Sequence, residues 1–492
     1  MSADHNMERY GYHQQLGRTL SGFTSFAVGF SFISITSGIF AAYGFVLNNS
    51  GPRGIWLWLV AGIGQILVAL IFMQFAARIP IAGYSYQWAS RLTNPRVGWG
   101  FGWLSYAFLA VVVVAVDYGF ATQAFMPLFG ISPTTGHAQL VTILTLVAQA
   151  ALIVLSTRAT ALINGSAVGA EIIGMLGLTV VLLIAVAITG DGSVSNLTSS
   201  GTIDDGSGYW AYNGPFMLAI LIGAYTIVGF EAAANLAEET EEPTRVVPMA
   251  MLRAVVVSVV VGLVFLIALT IAMSDVKGTT ASAAPVSAIM DARLGGTVKD
   301  LFLVFVNVAI FANGLIIMMS GSRLVFAMSR DKRFPGYQLF GRVLPSTATP
   351  AWAVGLILAG GVVFTLVFST DTLVKLFTAG SILPALIYLA TVLLYLRVRG
   401  RLARIPSSFR LGRWEPVVVA GALLWLVFEL SVLVFPSQFW DAVKLVAVLI
   451  AIGAVTFACF RVFAPHALDE LPELDIGGAE EPQGAAPREV RA

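Results

Sequence analysis

Four carboxylate side chains lie inside long apolar stretches of the sequence: Asp117, Glu171, Glu231 and Glu429. Because an isolated charge in apolar surroundings is costly, such a group either binds a cation or exchanges protons. Asp117 follows a run of valines and alanines and is a candidate partner for an amine. Glu231 and Glu171 are candidates for proton exchange. The alternative for each is a structural hydrogen bond or a cap, and we assign no role to Glu429.

Two segments of small and hydroxyl residues interrupt otherwise apolar runs. They are 34–38, Ser-Ile-Thr-Ser-Gly, and 223–229, Gly-Ala-Tyr-Thr-Ile-Val-Gly. Ser, Thr and Gly are poor helix formers, so each segment predicts a break in a helix. Amides at the start of a half-helix favour an anion such as a carboxylate, and exposed carbonyls at an end favour an ammonium. The alternative is that the small residues only allow helices to pack closely.

The composition indicates which elements must hold these groups. Of 492 residues, 57% are apolar and only 11% are charged, against about 25% charged in a typical soluble domain. The chain is therefore predicted to be an all-α polytopic membrane protein. A net charge of +1 predicts no nucleic-acid partner. The four histidines lie near the termini or in a loop, and no Gly-rich phosphate loop occurs, so we expect no metal, no cofactor and no catalytic set.

Twelve apolar segments are long enough to cross a bilayer, which takes about 20 residues. Closed barrels are excluded because their strands alternate and are about 10 residues long. Cys459 falls in the last segment and is predicted to be a buried packing thiol. The predicted spans are 22–46, 54–77, 97–127, 138–156, 160–189, 213–237, 251–273, 299–328, 350–369, 372–397, 415–435 and 438–462.

The distribution of Lys and Arg predicts the orientation of these spans. With both termini in the cytoplasm, all but six of the 28 Lys and Arg residues fall on the inner side. The prediction divides the chain into a cytoplasmic segment 1–20, a transmembrane domain 21–462 and a disordered acidic tail 463–492. Arginine far outnumbers lysine, which indicates a GC-rich genome and hence a bacterial inner (plasma) membrane. The six residues on the outer side are Arg53, Lys277, Arg293, Lys299, Lys375 and Lys444.

The two predicted breaks fall in corresponding spans. Span 1 runs from inside to outside, and span 6, five helices later, runs from outside to inside. This arrangement fits a five-plus-five inverted repeat of spans 1–5 and 6–10, with spans 11 and 12 as additions. Interrupted helices in corresponding positions point to the central site of a transporter.

Five motifs, in order along residues 20–460, resemble amino acid–polyamine–organocation (APC) superfamily permeases. Segment 36–40, Thr-Ser-Gly-Ile-Phe, is similar to the Gly-Ser-Gly-Ile-Phe pattern of helix 1 in that superfamily. Segment 229–248 resembles its helix 6 and following loop. Gly51-Pro52 with two tryptophans, segment 80–88 and segment 322–335 also agree. The nearest branch in this resemblance is the amino acid/choline family, which includes permeases for GABA.

The resemblance implies an APC/LeuT-like fold and roles for particular residues. It places an aromatic residue, here Tyr225, beside the substrate, and a carboxylate, here Glu231, after the helix 6 break. It also implies that Glu171 lies near the ion site of sodium-coupled relatives. An aromatic face suits an ammonium group. The predicted substrate-binding residues are Ile35, Thr36, Ser37, Gly38, Asp117, Tyr225, Thr226 and Gly229.

These observations predict a secondary transporter for amino acids or related amines that works by alternating access. The expected partners are the small-molecule substrate, protons and the lipid bilayer, in a monomer or homodimer. The alternative is an exchanger, in which transport of one amine is driven by the counter-transport of another. A channel predicts a continuous polar stripe, and an enzyme predicts clustered His, Cys or carboxylates, and the sequence has neither.

Overall fold

The computed structural model describes residues 21–81, 83–155, 157–235, 237–344, 347, 349–367, 372–463 and 465–468. These residues form helices and no β-strand, with one isolated bridge between Leu344 and Thr349. The predicted segment 1–20 and the tail from 469 onwards lie outside the described residues. The α-helices are α1 Gly22–Ile33, α2 Ile35–Asn49, α3 Leu57–Ala76, α4 Tyr84–Leu92, α5 Pro95–Gly119, α6 Met126–Phe129, α7 Thr135–Leu155, α8 Thr157–Ile172, α9 Leu178–Thr189, α10 Pro215–Leu218, α11 Ile220–Thr226, α12 Ala232–Asn235, α13 Pro243–Ala272, α14 Val276–Ala281, α15 Pro285–Arg330, α16 Tyr337–Phe340, α17 Ala351–Val367, α18 Thr372–Leu402, α19 Glu415–Val434 and α20 Trp440–Phe463.

Short segments of other helix types connect several of these elements. Phe120–Phe125 is a π-helix that joins α5 to α6, and Ile173–Gly177 is a π-helix that joins α8 to α9. The 310 segments are Pro52–Trp56, Val194–Thr198, Ala237–Glu239, Gly412–Trp414, Ser437–Phe439 and Pro465–Leu468.

Ten helical stretches of the described residues are long and apolar enough to cross a membrane, so the chain is a multi-pass membrane protein. Three of these stretches join neighbouring helices: Gly22–Asn49 joins α1 and α2, Pro95–Phe129 joins α5 and α6, and Gly165–Thr189 joins part of α8 to α9. Two further apolar helices, Pro215–Thr226 and Ala351–Val367, are shorter. They fall within the predicted spans 213–237 and 350–369.

Burial separates the central helices from the peripheral ones. The apolar stretch of Gly22–Asn49 is 83% buried inside the protein, and that of Ser437–Phe463 is only 17% buried. The helix α15 lies at the centre, where it packs against α1, α2, α5 and α8. Exposed apolar side chains on the peripheral helices suit contact with lipid.

Local sequence explains where several helices begin. Asn94 caps α5, because its Oδ1 accepts a hydrogen bond from the Val97 amide at 2.9 Å and Pro95 occupies the first turn. Ser21 caps α1 by accepting from the Thr24 amide.

Two features differ from the sequence prediction. The connection after α3 contains the nine-residue helix α4, which lies between the predicted spans 54–77 and 97–127 and was not predicted. The prediction of a buried thiol at Cys459 is wrong, because the residue is exposed. Only 17% of the apolar stretch of Ser437–Phe463 is buried inside the protein, so most side chains of α20 point away from the bundle.

Candidate functional site

The first helix is interrupted at a single residue, Ser34. Its φ of 36° lies in the left-handed region, so α1 ends at Ile33 and α2 begins at Ile35. The Ser34 amide closes α1 by donating to the Phe30 carbonyl, and its hydroxyl caps α2 by accepting from the Ser37 amide at 3.3 Å. The break falls at the first residue of the predicted segment 34–38, and the rest of that segment is helical.

Side chains from two other helices satisfy the backbone on both sides of this break. Asn313 on α15 donates its Nδ2 to the carbonyls of Ser31, at 2.9 Å, and Phe32, at 3.0 Å, in the last turn of α1. Glu171 on α8 accepts from the Thr36 amide in the first turn of α2, at 3.2 Å from its Oε1. A carboxylate of the protein itself thus occupies one of the amides that we predicted for a substrate carboxylate.

The second interruption is longer. The helix α11 ends at Thr226, residues 227–231 are not α-helical, and α12 begins at Ala232. Gly229 has a φ of 87°, and a Cβ at this position would clash with the ring of Phe32. Glycine is therefore required here for its conformation and for the close approach of the two breaks.

Tyr388 on α18 holds this second break. Its hydroxyl accepts from the Gly229 amide at 2.9 Å and donates to Glu231 Oε2 at 2.7 Å. Glu231 is 3% exposed, so this carboxyl group is held in the interior by a neutral side chain.

The two breaks face each other across a small cavity. Gly38 on α2 contacts Thr226 on α11 so closely that a Cβ on the glycine would clash with the threonine side chain. The cavity beside this contact has a volume of about 10 Å³, room for about one water molecule. The lining residues that carry polar side chains or belong to the predicted set are Ser37, Gly38, Tyr225, Thr226 and Asn313.

Tyr225 is the largest of these lining side chains. Its ring packs against Phe377 on α18 with 4.5 Å between centroids. Its hydroxyl is buried and has no hydrogen-bond partner among the described residues. An aromatic side chain in the cavity lining suits a cationic ligand group.

Asp117 lies behind the cavity lining. Its Oδ1 accepts from Gln149 Nε2 on α7 at 2.8 Å, and the same amide donates to the Phe311 carbonyl of α15 at 3.2 Å. Gly314 allows this approach, because a Cβ there would clash with both Asp117 and Gln149. This hydrogen bond joins neighbouring helices, as in the alternative role that the sequence analysis gave for Asp117. The second oxygen, Oδ2, is buried without a partner in the described part of the chain.

The structure thus divides the predicted residues into two groups. Four of the predicted binding residues line the cavity: Ser37, Gly38, Tyr225 and Thr226. The remaining predicted residues lie outside its lining: Ile35, Thr36, Asp117, Glu171, Gly229 and Glu231. Glu429 is elsewhere, buried between α19 and α3, where Gln65 Nε2 donates to it at 3.4 Å.

Sequence analysis missed three residues that hold the site: Gln149, Asn313 and Tyr388. The predicted site was drawn from the carboxylates within the apolar stretches and from the two segments predicted to interrupt helices. Buried amides and hydroxyls also need partners at membrane depth, so Gln149 and Asn313 carried a usable signal. Tyr388 carried none, because tyrosine is common in apolar helices.

Interrupted helices beside a buried cavity are typical of membrane transporters. The family model described as amino acid permease matches residues 20–457. The chain therefore belongs to the amino acid permease family of the APC superfamily, and it is a transporter rather than an enzyme.

Three relatives are similar to this chain over most of their own length. The amino-acid permease BAT1 of Arabidopsis thaliana is 28% identical, and the match covers 86% of this chain and 86% of that protein. The methylthioribose transporter of Bacillus subtilis is 26% identical, covering 85% and 89%. The GABA-specific permease of Saccharomyces cerevisiae is 24% identical, covering 87% and 77%.

Proposed function

We propose that this protein carries amino acids or related amines across the plasma membrane by proton-coupled, alternating access. The observation that carries the proposal is the pair of helix breaks that face one small cavity, with Glu171 bound to the Thr36 amide. In this proposal the ten long helices and the two shorter ones form twelve spans. Spans 1–5 and 6–10 form inverted repeats, and both termini lie in the cytoplasm.

The volume of the cavity supports a conformational cycle. Room for about one water molecule is too little for an amino acid. In the proposed cycle the substrate therefore enters only when the helices around the cavity move apart. Opening first to one side and then to the other is the simplest cycle that moves substrate without forming a pore.

Glu171 supplies a direct link between a proton and the substrate carboxylate. While ionised, it accepts from the Thr36 amide and competes with any other anion for the start of α2. Protonation weakens this bond and releases the amide to a substrate carboxylate. Proton and substrate would then be taken up together, and both would leave on the opposite side.

The opposite end of the substrate would face the second break. Tyr225 belongs to the lining of the cavity, and its buried hydroxyl has no hydrogen-bond partner among the described residues. In the proposal an amine lies against the ring of Tyr225, and Asp117 attracts it from behind the lining. Glu231, held by Tyr388, is a second candidate for proton exchange.

Uptake into proteoliposomes tests the proposal. The purified protein is reconstituted, and uptake of labelled amino acids, GABA, choline and polyamines is measured with and without an inward proton gradient. Methylthioribose is included among the tested compounds, because one relative is named a methylthioribose transporter. We expect saturable, gradient-stimulated uptake of at least one amino acid or amine, absent from protein-free liposomes.

Two other results are informative. Uptake that needs unlabelled substrate inside the liposomes and ignores the proton gradient would replace symport with exchange of one amine for another. No saturable uptake of any compound in the panel would overturn the proposed substrate class.

A further inference from the structure

A second, larger cavity lies at the arginine-rich end of the bundle, away from the central site. Its volume is about 180 Å³, more than ten times the roughly 10–15 Å³ that holds one water molecule. The end of α3, the end of α18 and the start of α19 surround it. Its polar lining consists of Gln74, Arg78, Tyr395, Arg399, Arg410 and Glu415.

The lining carries a net positive charge. It contains three guanidinium groups and one carboxylate, which leaves a formal charge of +2. Arg399 pairs with Glu415 at 3.7 Å, but these side chains are 56% and 29% exposed. An ion pair this exposed is worth little, so the carboxylate compensates only part of the positive charge.

The buried arginine is held in a fixed orientation. Arg78 Nη1 donates to the Gln74 carbonyl at 2.7 Å and to Gln74 Oε1 at 2.9 Å, and the residue is 5% exposed. Burial lowers the pKa of the Arg78 guanidinium, Tyr395 and Glu415 act against this shift, and the positive charge of Arg410 adds to it. The protein thus places positive charges near each other at a partly buried position, which is unfavourable without an anion.

An uncharged donor of the lining also requires an acceptor. Because Gln74 Oε1 is engaged by Arg78, the Gln74 amide is oriented, and its Nε2 is buried with no hydrogen-bond partner among the described residues. A buried donor without an acceptor is rare in native proteins and marks a place for an unseen oxygen atom.

We propose that this cavity binds a phosphate-bearing anion. Guanidinium groups match phosphate oxygens with paired hydrogen bonds, and the Gln74 amide supplies a further donor. This end of the bundle is the one predicted to face the cytoplasm, where basic pockets between membrane helices bind the head groups of anionic lipids. The phosphate group comes either from such a lipid or from a small soluble phosphate.

Thermal unfolding of the full-length protein in a neutral detergent tests this site. One arm titrates phosphatidylglycerol in mixed micelles against phosphatidylcholine. The other arm titrates sodium phosphate against sodium chloride at constant ionic strength. We expect a saturable rise in the unfolding midpoint with phosphatidylglycerol, with phosphate or with both, and not with the matched controls.

Three variants locate the effect. Arg410→Gln and Arg78→Gln should raise the concentration for half of the effect about tenfold, because each removes a charge-assisted donor. Arg413→Gln is the control: this arginine belongs to the same connection but stacks on Trp414, 5.4 Å from the ring centroid. It should leave the titration within about twofold of the unmodified protein. If Arg78→Gln does not fold, the comparison of Arg410→Gln with Arg413→Gln tests the site by itself, because Arg410 is exposed.

The pattern of results separates the possible ligands. A response to phosphatidylglycerol alone assigns an anionic lipid, and a response to sodium phosphate assigns the phosphate group itself. No stabilisation beyond the controls in either arm would overturn the proposal, as would an Arg410→Gln titration that coincides with that of Arg413→Gln.

Discussion

The two helix breaks that face the central cavity are built in different ways. The break at Ser34 is one residue long. A carboxylate from α8 and an amide from α15 form hydrogen bonds with the backbone groups on its two sides. The break at 227–231 is five residues long and depends on the positive φ of Gly229 and on the hydroxyl of Tyr388. The first break is held mainly by electrostatic complementarity, and the second mainly by shape.

This difference separates a chemically responsive element from a positioning one. Glu171 can gain and lose a proton, and its bond to the Thr36 amide changes when it does. At the second break Gly229 acts through its backbone conformation, and the bonding of Tyr388 changes only if Glu231, the second candidate for proton exchange, gains or loses a proton. We therefore expect substitutions at the second break to affect stability most, and a substitution of Glu171 to affect coupling.

Gly229→Ala should have the largest effect on stability. A left-handed alanine is strained and its Cβ meets Phe32, so we expect a loss of about 3 kcal/mol or more and no measurable uptake. Gly360→Ala on α17 is the control, because a Cβ there meets nothing within 4 Å. Thermal unfolding in detergent measures both. Equal midpoints for the two variants would show that the second break does not depend on shape.

Asn313→Ala should have the next largest effect. It leaves the Ser31 and Phe32 carbonyls at the end of α1 without their donor, at a cost of about 2 kcal/mol. Asn307→Ala on the same helix is a matched control, since among the described residues that amide donates only to the carbonyl of Leu303, one turn earlier. If Asn307→Ala lowers the unfolding midpoint as much, the amide at the first break has no special role.

Tyr388→Phe should cost about 1–2 kcal/mol, because it removes an acceptor for the Gly229 amide and a donor to Glu231. The ring remains to pack against Phe72, at 5.1 Å between centroids. We expect a lower midpoint together with reduced uptake. An unchanged midpoint with normal uptake would mean that Gly229 alone holds the second break.

Glu171→Gln should have the smallest effect on stability, below about 1 kcal/mol, because glutamine keeps an oxygen for the Thr36 amide. The proton gradient should no longer stimulate uptake, since the side chain no longer titrates. Glu429→Gln is the control: it removes another buried carboxylate, which among the described residues bonds only to Gln65. Retained stimulation in Glu171→Gln, or its loss in Glu429→Gln, would contradict the assignment.

Local sequence was informative about the breaks and much less so about their partners. Ser34 and Gly229 lie within segments whose residue types favour interruption, and both adopt positive φ. The bond between Glu171 and Thr36 joins residues 135 positions apart, and that between Asn313 and Ser31 joins residues 282 apart. No spacing rule reaches that far, so the sequence alone suggested only a region for Glu171 and did not indicate Asn313.

The sequence by itself determined that this is a multi-pass helical membrane protein with two interrupted helices. Long stretches without charge and clusters of poor helix formers are local properties, and a bilayer accepts few structures that satisfy the backbone. Only the tertiary structure decided which groups meet at the breaks. It showed Asp117 bonded to Gln149 behind the cavity and Glu171 bound at the start of α2. Those pairings depend on how distant helices pack, because each buried polar group takes its partner from a neighbouring helix.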